Sequence, residues 1–248
     1  MLVHSDYKNT SMHTDINCDL GEGIGNDELI MPFITSANIA CGYHAGDAVT
    51  IQQTIKACQK HQVAIGAHPS FYDKGNFGRK EMNLSVEEIY ELIFQQLIII
   101  NEIAETVDQK LHHVKPHGAL YNLSAKDAGI ANAIAKAVKE FDESLILFGL
   151  SGSYSIREAK KVGLKTASEV FADRTYQDDG SLTPRLQPNA LIEETGIAVA
   201  QALQMIKNAT VTTLSGKIVP IIAETICIHG DGEKAVEYAK AIHTAIRL

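Results

Sequence analysis

The chain has 248 residues, 45% of them apolar, with no tryptophan and only 6% aromatic residues. Ile, Val, Leu and Ala must therefore fill one large core, as they do where strands pack under helices. Its 22 basic and 30 acidic residues leave a net charge of −8 and no basic cluster, which argues against nucleic acid as a partner, because neutralising phosphates takes grouped Lys and Arg.

No apolar run is long enough to cross a membrane, and the opening MLVHSDYKNTSMH lacks the apolar stretch of a signal peptide. Cys18, Cys41, Cys58 and Cys227 are far apart and form no CxxC pair. These features together predict a cytoplasmic protein with reduced thiols.

The first strand is predicted near residues 13–18 (HTDINC) and the second at 37–41 (ANIAC). Asp47 can then cap a helix carrying Ile51, Ile55 and Cys58 at helical spacing, ahead of a strand at 63–68 (VAIGAH). Ser85 and Glu88 spell a capping box before Ile89, Leu92, Ile93, Leu97, Ile100, Ala104 and Val107. The strand HHVKPH (112–117) follows, and Ser124 with Asp127 reads as the start of a helix carrying Ala131, Ile134, Ala135 and Val138. Next come a strand at 145–150, a helix at 153–162, a strand at 165–171 and a helix at 189–208. A hairpin over 210–221 turning at Ser215-Gly216, a strand at 225–229 and a helix at 232–246 complete the order. Seven strands separated mostly by helices imply parallel pairing with helices outside. An open doubly wound sheet and a closed barrel both fit. No repeat or linker divides the chain, so one domain over residues 1–248 is expected.

Successive strand side chains point to opposite faces. One face of DINCDLGE carries Asp15, Asn17 and Asp19; one face of VAIGAH carries Ala64, Gly66 and His68; one face of HVKPH carries His113, Lys115 and His117. These faces turn polar toward the C-terminal end, where barrels of this kind place their sites. His44, Glu169, Asp173, Arg174, His229 and Asp231 also follow strand C-termini. A lone strand histidine is more often a satisfied core residue than a ligand, and His61 and His243, on helices, take that reading. The coincidence of Asp15, Asn17, His44, His68 and His117 at one end of different strands favours a pocket instead. DLGEGIG does not match GxGxxG, and Walker A, HExxH and GxSxG patterns are missing from the sequence. Dinucleotide, P-loop and common serine-hydrolase chemistry are thereby demoted.

The motifs DINCDLGEG, SANIACGYHAGD, GAHPSFYDKGNFGRK, HVKPHGALYN, EVFADRTYQDDGSLTPR and CIHGD together resemble the LamB/YcsF family over roughly residues 14 to 247. Lys80 stands where the family usually has arginine, so a carboxylate-binding role there loses its guanidinium fork, and the first thirteen residues lie outside the pattern. The resemblance implies an α/β fold, a distorted TIM-like barrel of seven strands similar to the polysaccharide deacetylases. It also implies opening of the 5-oxoproline lactam to L-glutamate, coupled to hydrolysis of ATP with Mg2+ to ADP and phosphate, in a complex with two further subunits, B and C.

Such a reaction needs a base for water, cations for oxyanion or phosphate, and an anchor for the substrate carboxylate. Asp15, His68 and His117 suit the first need and Lys115 the second. Arg174 or Arg185 suits the third, with the 172–186 loop as a lid. Asn17, Asn38 and His44 are further expected substrate contacts. Partner contacts are expected around the barrel mouth, where the 172–186 and 73–80 loops carry Arg, Lys and Asp beside Tyr72, Phe77 and Tyr176. Lys115, between His113 and His117, is expected to have its charge disfavoured by cations and burial, and to meet either a substrate anion or Asp15 or Asp19 in an ion pair. A competing class is a metal-dependent amide or acetamide hydrolase of the deacetylase type, in which Asp15, His68 and His117 would hold a divalent metal. A third is a non-catalytic barrel that binds a small acid.

Overall fold

The computed structural model describes residues 14–229 and 234–247. Its strands are β1 (Asp15–Leu20), β2 (Ser36–Ala40), β3 (Ala64–His68), β4 (His113–Val114), β5 (Ile146–Leu150), β6 (Lys165–Phe171), β7 (Thr210–Thr212), β8 (Ile218–Pro220) and β9 (Thr225–His229). The helices are α1 (Asp27–Ile30), α2 (Ala48–His61), α3 (Val86–Glu105), α4 (Gly118–Lys126), α5 (Ala128–Phe141), α6 (Tyr154–Lys161), α7 (Thr195–Asn208) and α8 (Ala235–Ile246). Strands β1 to β6 pair in order, and β9 is parallel to both β6 and β1. That double pairing closes a seven-stranded barrel and excludes the open sheet.

Side-chain caps mark the starts of α2, α3 and α5. The Asp47 carboxylate accepts from the Thr50 N–H, Ser85 and Glu88 make both bonds of a capping box, and Asp127 accepts from the N–H groups of Gly129 and Ile130. Along α3 the buried face is Ile89, Ile93, Leu97, Ile100 and Ala104; each large aliphatic side chain taken out of water contributes about 1.5–3 kcal/mol. Ser124 is not a cap. It lies inside α4, a short helix that the periodicity did not reveal, and its hydroxyl donates to the Tyr121 carbonyl. The helix expected from residue 189 begins at Thr195, because residues 189–192 bond back to the loop at 173–175. β7 and β8 form the expected antiparallel hairpin, with Gly216 at a left-handed φ of 85°.

Both faces of the barrel strands are buried, for different reasons. Ile16, Cys18, Leu20, Ile39, Ile65, Val114, Leu147, Val170, Ile226 and Ile228 belong to the apolar core. The alternate positions face inward and are largely polar: Asn17, Asn38, His113, Glu169 and Thr225 are all fully buried. Gly66 makes this lining possible, since a Cβ there would lie 2.1 Å from His113 Nε2. β4 counts only two residues, because Pro116 has no N–H to offer. The backbone stays paired with its neighbour on either side of it: Lys115 N–H donates to the Ala67 carbonyl and His117 N–H to that of Pro69.

Among the described residues no helix is long and apolar enough to cross a membrane. All four cysteines are buried and free. Burial pushes the Cys41 and Cys58 thiols up to about 12, so neither is a nucleophile near neutral pH.

Candidate active site

Asp19, at the C-terminal end of β1, is the hub of the polar cluster. Its Oδ1 accepts from Asn38 Nδ2 (2.8 Å) and from the Lys115 ammonium (2.9 Å), and its Oδ2 lies 3.3 Å from His68 Nε2. Burial alone would raise the Asp19 pKa, but His68 and Lys115 outweigh it and hold the carboxyl well below the usual range. Asn38 is fixed from below, because His113 Nε2 donates to its Oδ1 at 2.9 Å while its amide also donates to Asn17.

The histidines at the strand ends form a tight group. His68 Nε2 lies 2.9 Å from His117 Nδ1, and His44 stacks on His117 with ring centroids 3.9 Å apart. His68 Nδ1 faces the Lys115 carbonyl at 2.7 Å and His117 Nε2 the Phe77 carbonyl at 2.9 Å. A carbonyl only accepts, so each of these outer nitrogens carries a hydrogen. Two neutral rings would then turn bare lone pairs on each other across the remaining gap, so that contact requires one further proton or a cation. Burial, and after it His68 and His44, hold the His117 pKa well below the ordinary value. His44 is pushed down to about 3 by burial and then by His68; it remains neutral between Ser70 Oγ (2.9 Å) and Glu22 Oε1 (3.2 Å).

Lys115 Nζ is enclosed by Asp19, Glu169 Oε1 (2.8 Å), Asn17 Oδ1 (3.2 Å) and Cys227 Sγ (3.0 Å). Burial works against its charge, but the Asp19, Cys227 and Glu169 groups prevail and raise its pKa well above the ordinary lysine value. Nearby, His229 Nδ1 lies 2.7 Å from Asp173 Oδ2. Arg174 reaches back with Nη2 donating to the Thr183 carbonyl (2.6 Å) and Nε to that of Ala190 (3.3 Å). These bonds fold the 173–190 loop over a cavity of about 740 Å³ whose wall includes Asp19, His68, Lys115, His117, Arg174 and Arg185.

The donor set fits a cation as well as a proton. Single ligand atoms of Asp19, His68 and His117 lie within 4.8 Å of one another, and both imidazoles have their outer N–H fixed by a carbonyl, as metal-binding histidines do.

The sequence profile of the LamB/YcsF family matches residues 14–248. The chain belongs to the LamB/YcsF family. A protein of Shouchella clausii, named as the A subunit of 5-oxoprolinase, is 54% identical over 233 residues, covering 92% of each chain. The crystal structure of a lactam utilization protein from Thermus thermophilus superposes with a TM-score of 0.89 at 40% identity, covering 95% of this chain and 96% of that one. A family 4 carbohydrate esterase from Streptomyces lividans in complex with acetate shares the fold at a TM-score of 0.51 and 10% identity, over 95% and 88% of the two chains.

In this LamB/YcsF chain the residues expected from sequence are only partly brought together. His68, Lys115, His117, Arg174 and Arg185 line the cavity. Asn17 and Asn38 lie a layer deeper, and His44 backs His117. Asp15 does not join them: it opens β1, where its carboxylate accepts from the Thr35, Ser36 and Thr225 hydroxyls. The side-chain direction was right and the level wrong, by four residues or about 13 Å of strand. Asp19 stands where Asp15 was expected, and it, rather than Asp15, pairs with Lys115.

The expectation that cations would disfavour the Lys115 charge is likewise overturned, because two carboxylates face it. Tyr176, expected at the mouth, is fully buried, its hydroxyl accepting from the Phe171 N–H. Phe77 packs edge-on against His44 and His117 at 5.5 Å, and only Tyr72 of the three aromatics is exposed. Glu22, in the glycine-bounded turn after β1, was not singled out; its place two residues beyond the strand end was the available signal. Asp231 and residues 1–13 lie outside the described residues.

Proposed function

We propose that this chain is the A subunit of an ATP-dependent 5-oxoprolinase, a cytoplasmic hydrolase that opens 5-oxo-L-proline to L-glutamate together with its B and C subunits, using ATP and Mg2+. The observation that carries the reading is the 2.9 Å contact of His68 with His117 beside Asp19, in a chain so similar along its length to a protein of that name.

A lactam is a poor electrophile, and phosphorylation of its carbonyl oxygen by ATP makes the ring carbon open to water. Water adds to that carbon and the ring C–N bond breaks, so the nitrogen must take a proton; a second water then cleaves the resulting acyl phosphate, leaving the carboxylate of glutamate and free inorganic phosphate. The proton shared by His68 and His117 serves the departing nitrogen, and the emptied pair takes the proton that water gives up. Asp19 sets its negative charge beside the pair. Lys115 holds Asp19 in place, and Arg174 and Arg185 supply positive charge for the substrate carboxylate.

The test is glutamate release from 5-oxoproline with magnesium and ATP, by the purified chain and by the chain mixed with its two partner subunits. Turnover is expected in the full mixture and not in the chain alone. Robust turnover by the chain alone would overturn the multi-component reading, and none in the mixture would overturn the activity.

The metal-dependent amide hydrolase reading draws on the same lone pairs. Asp19, His68 and His117 would hold a divalent cation in place of the shared proton, where it would polarise an amide carbonyl. Elemental analysis of protein purified without chelator separates the two. A stoichiometric metal supports the second reading; none, with turnover retained, removes it.

A further inference from the structure

A different part of the cavity wall is formed by Ser151, Gly152, Ser153 and Tyr154, which join β5 to α6. Gly152 has a left-handed φ of 74°, and a Cβ added there would meet nothing within 4 Å, so the turn borders open space. Ser153 is the N-cap of the eight-residue α6, yet its side chain caps no backbone N–H. It is only 7% exposed, and its buried hydroxyl makes no hydrogen bond among the described residues. An N-cap serine normally accepts from the first helical turn, and a buried hydroxyl without a partner costs stability. The first N–H of this helix to find a partner within it is that of Arg157, which donates to the Ser153 carbonyl; the N–H groups before it point out of the helix start.

Positive charge gathers on the same cavity. The Arg157 guanidinium lies over the Tyr154 ring at 4.2 Å, one helical turn from the cap. Lys126, Arg174 and Arg185 also line the space. Burial and then the nearby Arg185 lower the Arg174 pKa, as expected where guanidinium groups crowd together. A volume of about 740 Å³ exceeds what a lactam the size of one amino acid fills, and leaves room for a second anionic group.

We propose that the Ser151–Tyr154 turn, the start of α6 and Arg157 form an oxyanion subsite for a phosphate group. It takes that group from a nucleoside triphosphate or from the phosphorylated lactam. The Ser153 hydroxyl and first-turn N–H groups donate to its oxygens, and Arg157 balances its charge. The subsite deepens the reading of the preceding subsection and rests on it for the identity of the phosphate donor.

The experiment is titration of the full chain with inorganic phosphate, with magnesium–ATP and with 5-oxoproline, each alone, following the backbone amide resonances of residues 152–156. The variants are Ser153→Ala and Arg157→Gln; Arg157 is exposed, so its variant keeps the fold even if the cap variant does not. Phosphate or magnesium–ATP is expected to shift these amides, with affinity reduced about tenfold in Arg157→Gln, the equivalent of one lost charge-assisted hydrogen bond. Affinity for 5-oxoproline should stay within about twofold. Magnesium–ATP that displaces bound phosphate identifies the nucleotide as the source; phosphate that it leaves in place identifies the phosphorylated lactam. Three outcomes would overturn the subsite: no binding of either probe, affinity unchanged in both variants, or a loss confined to 5-oxoproline. These are binding measurements, so a failure of glutamate release would sink the proposed activity without deciding this site.

Discussion

His68 Nε2 lies 2.9 Å from His117 Nδ1, and each ring spends its other nitrogen on a backbone carbonyl. The pair can therefore hold one proton between the rings, and neither ring can rotate to release it without losing its anchor.

Removing one member should remove the proton store. His117→Ala is expected to lower kcat for glutamate formation in the complete mixture by about 10²- to 10⁴-fold, the usual worth of a positioned acid or base. KM should move much less. A kcat unchanged in this variant would take the pair out of the chemistry.

The two aspartates of β1 make opposite predictions. Asp19→Asn leaves His68 without its anionic neighbour and should abolish turnover. Asp15→Asn should leave turnover near normal while costing about 1–3 kcal/mol of stability, because its carboxylate anchors hydroxyls at the far end of the barrel. Parallel urea melts and glutamate assays check both, and the reverse pattern would refute the placement of the site.

Lys115→Met strands the Asp19 and Glu169 carboxylates in the interior. A destabilisation of about 3–5 kcal/mol is expected, as for other buried pairs broken on one side. Adding Glu169→Gln should recover part of it. A single variant as stable as the parent would show that water reaches these carboxylates.

Stability should fall on mild acidification. His44 is held down to about 3, and His113 and His117 well below their ordinary value, with burial the first cause for each. The unfolded chain takes up protons near pH 6.5 while these folded rings stay neutral. Their contribution is thus complete above pH 6.5 and is lost as pH drops toward the folded values. The slope is about 1.4 kcal/mol per pH unit for each such histidine. Asp19 is also depressed, but its contribution begins to be lost only near the unfolded carboxylate pKa of about 3.9. Urea unfolding between pH 7 and 5 checks this, and His44→Asn should show a shallower slope. An identical slope would mean that His44 is protonated in the folded state.

What the sequence by itself determined was local. Period-two alternation placed Asn17, Asp19, His68, His113, Lys115 and His117 on inward faces, and caps such as Ser85 and Asp127 marked helix starts; both follow from backbone geometry within a few residues. The family motifs carried the barrel. Closure through β9, the level of Asp19 rather than Asp15, the enclosure of Lys115 by Asp19 and Glu169, and the burial of Tyr176 belonged to tertiary structure. Each depends on the register between strands far apart in the chain. Alternation tells which way a side chain points, and only the pairing of β1 with β9, which sets Asp19 beside His229 and Asp15 beside Thr225, tells which end of the barrel it reaches.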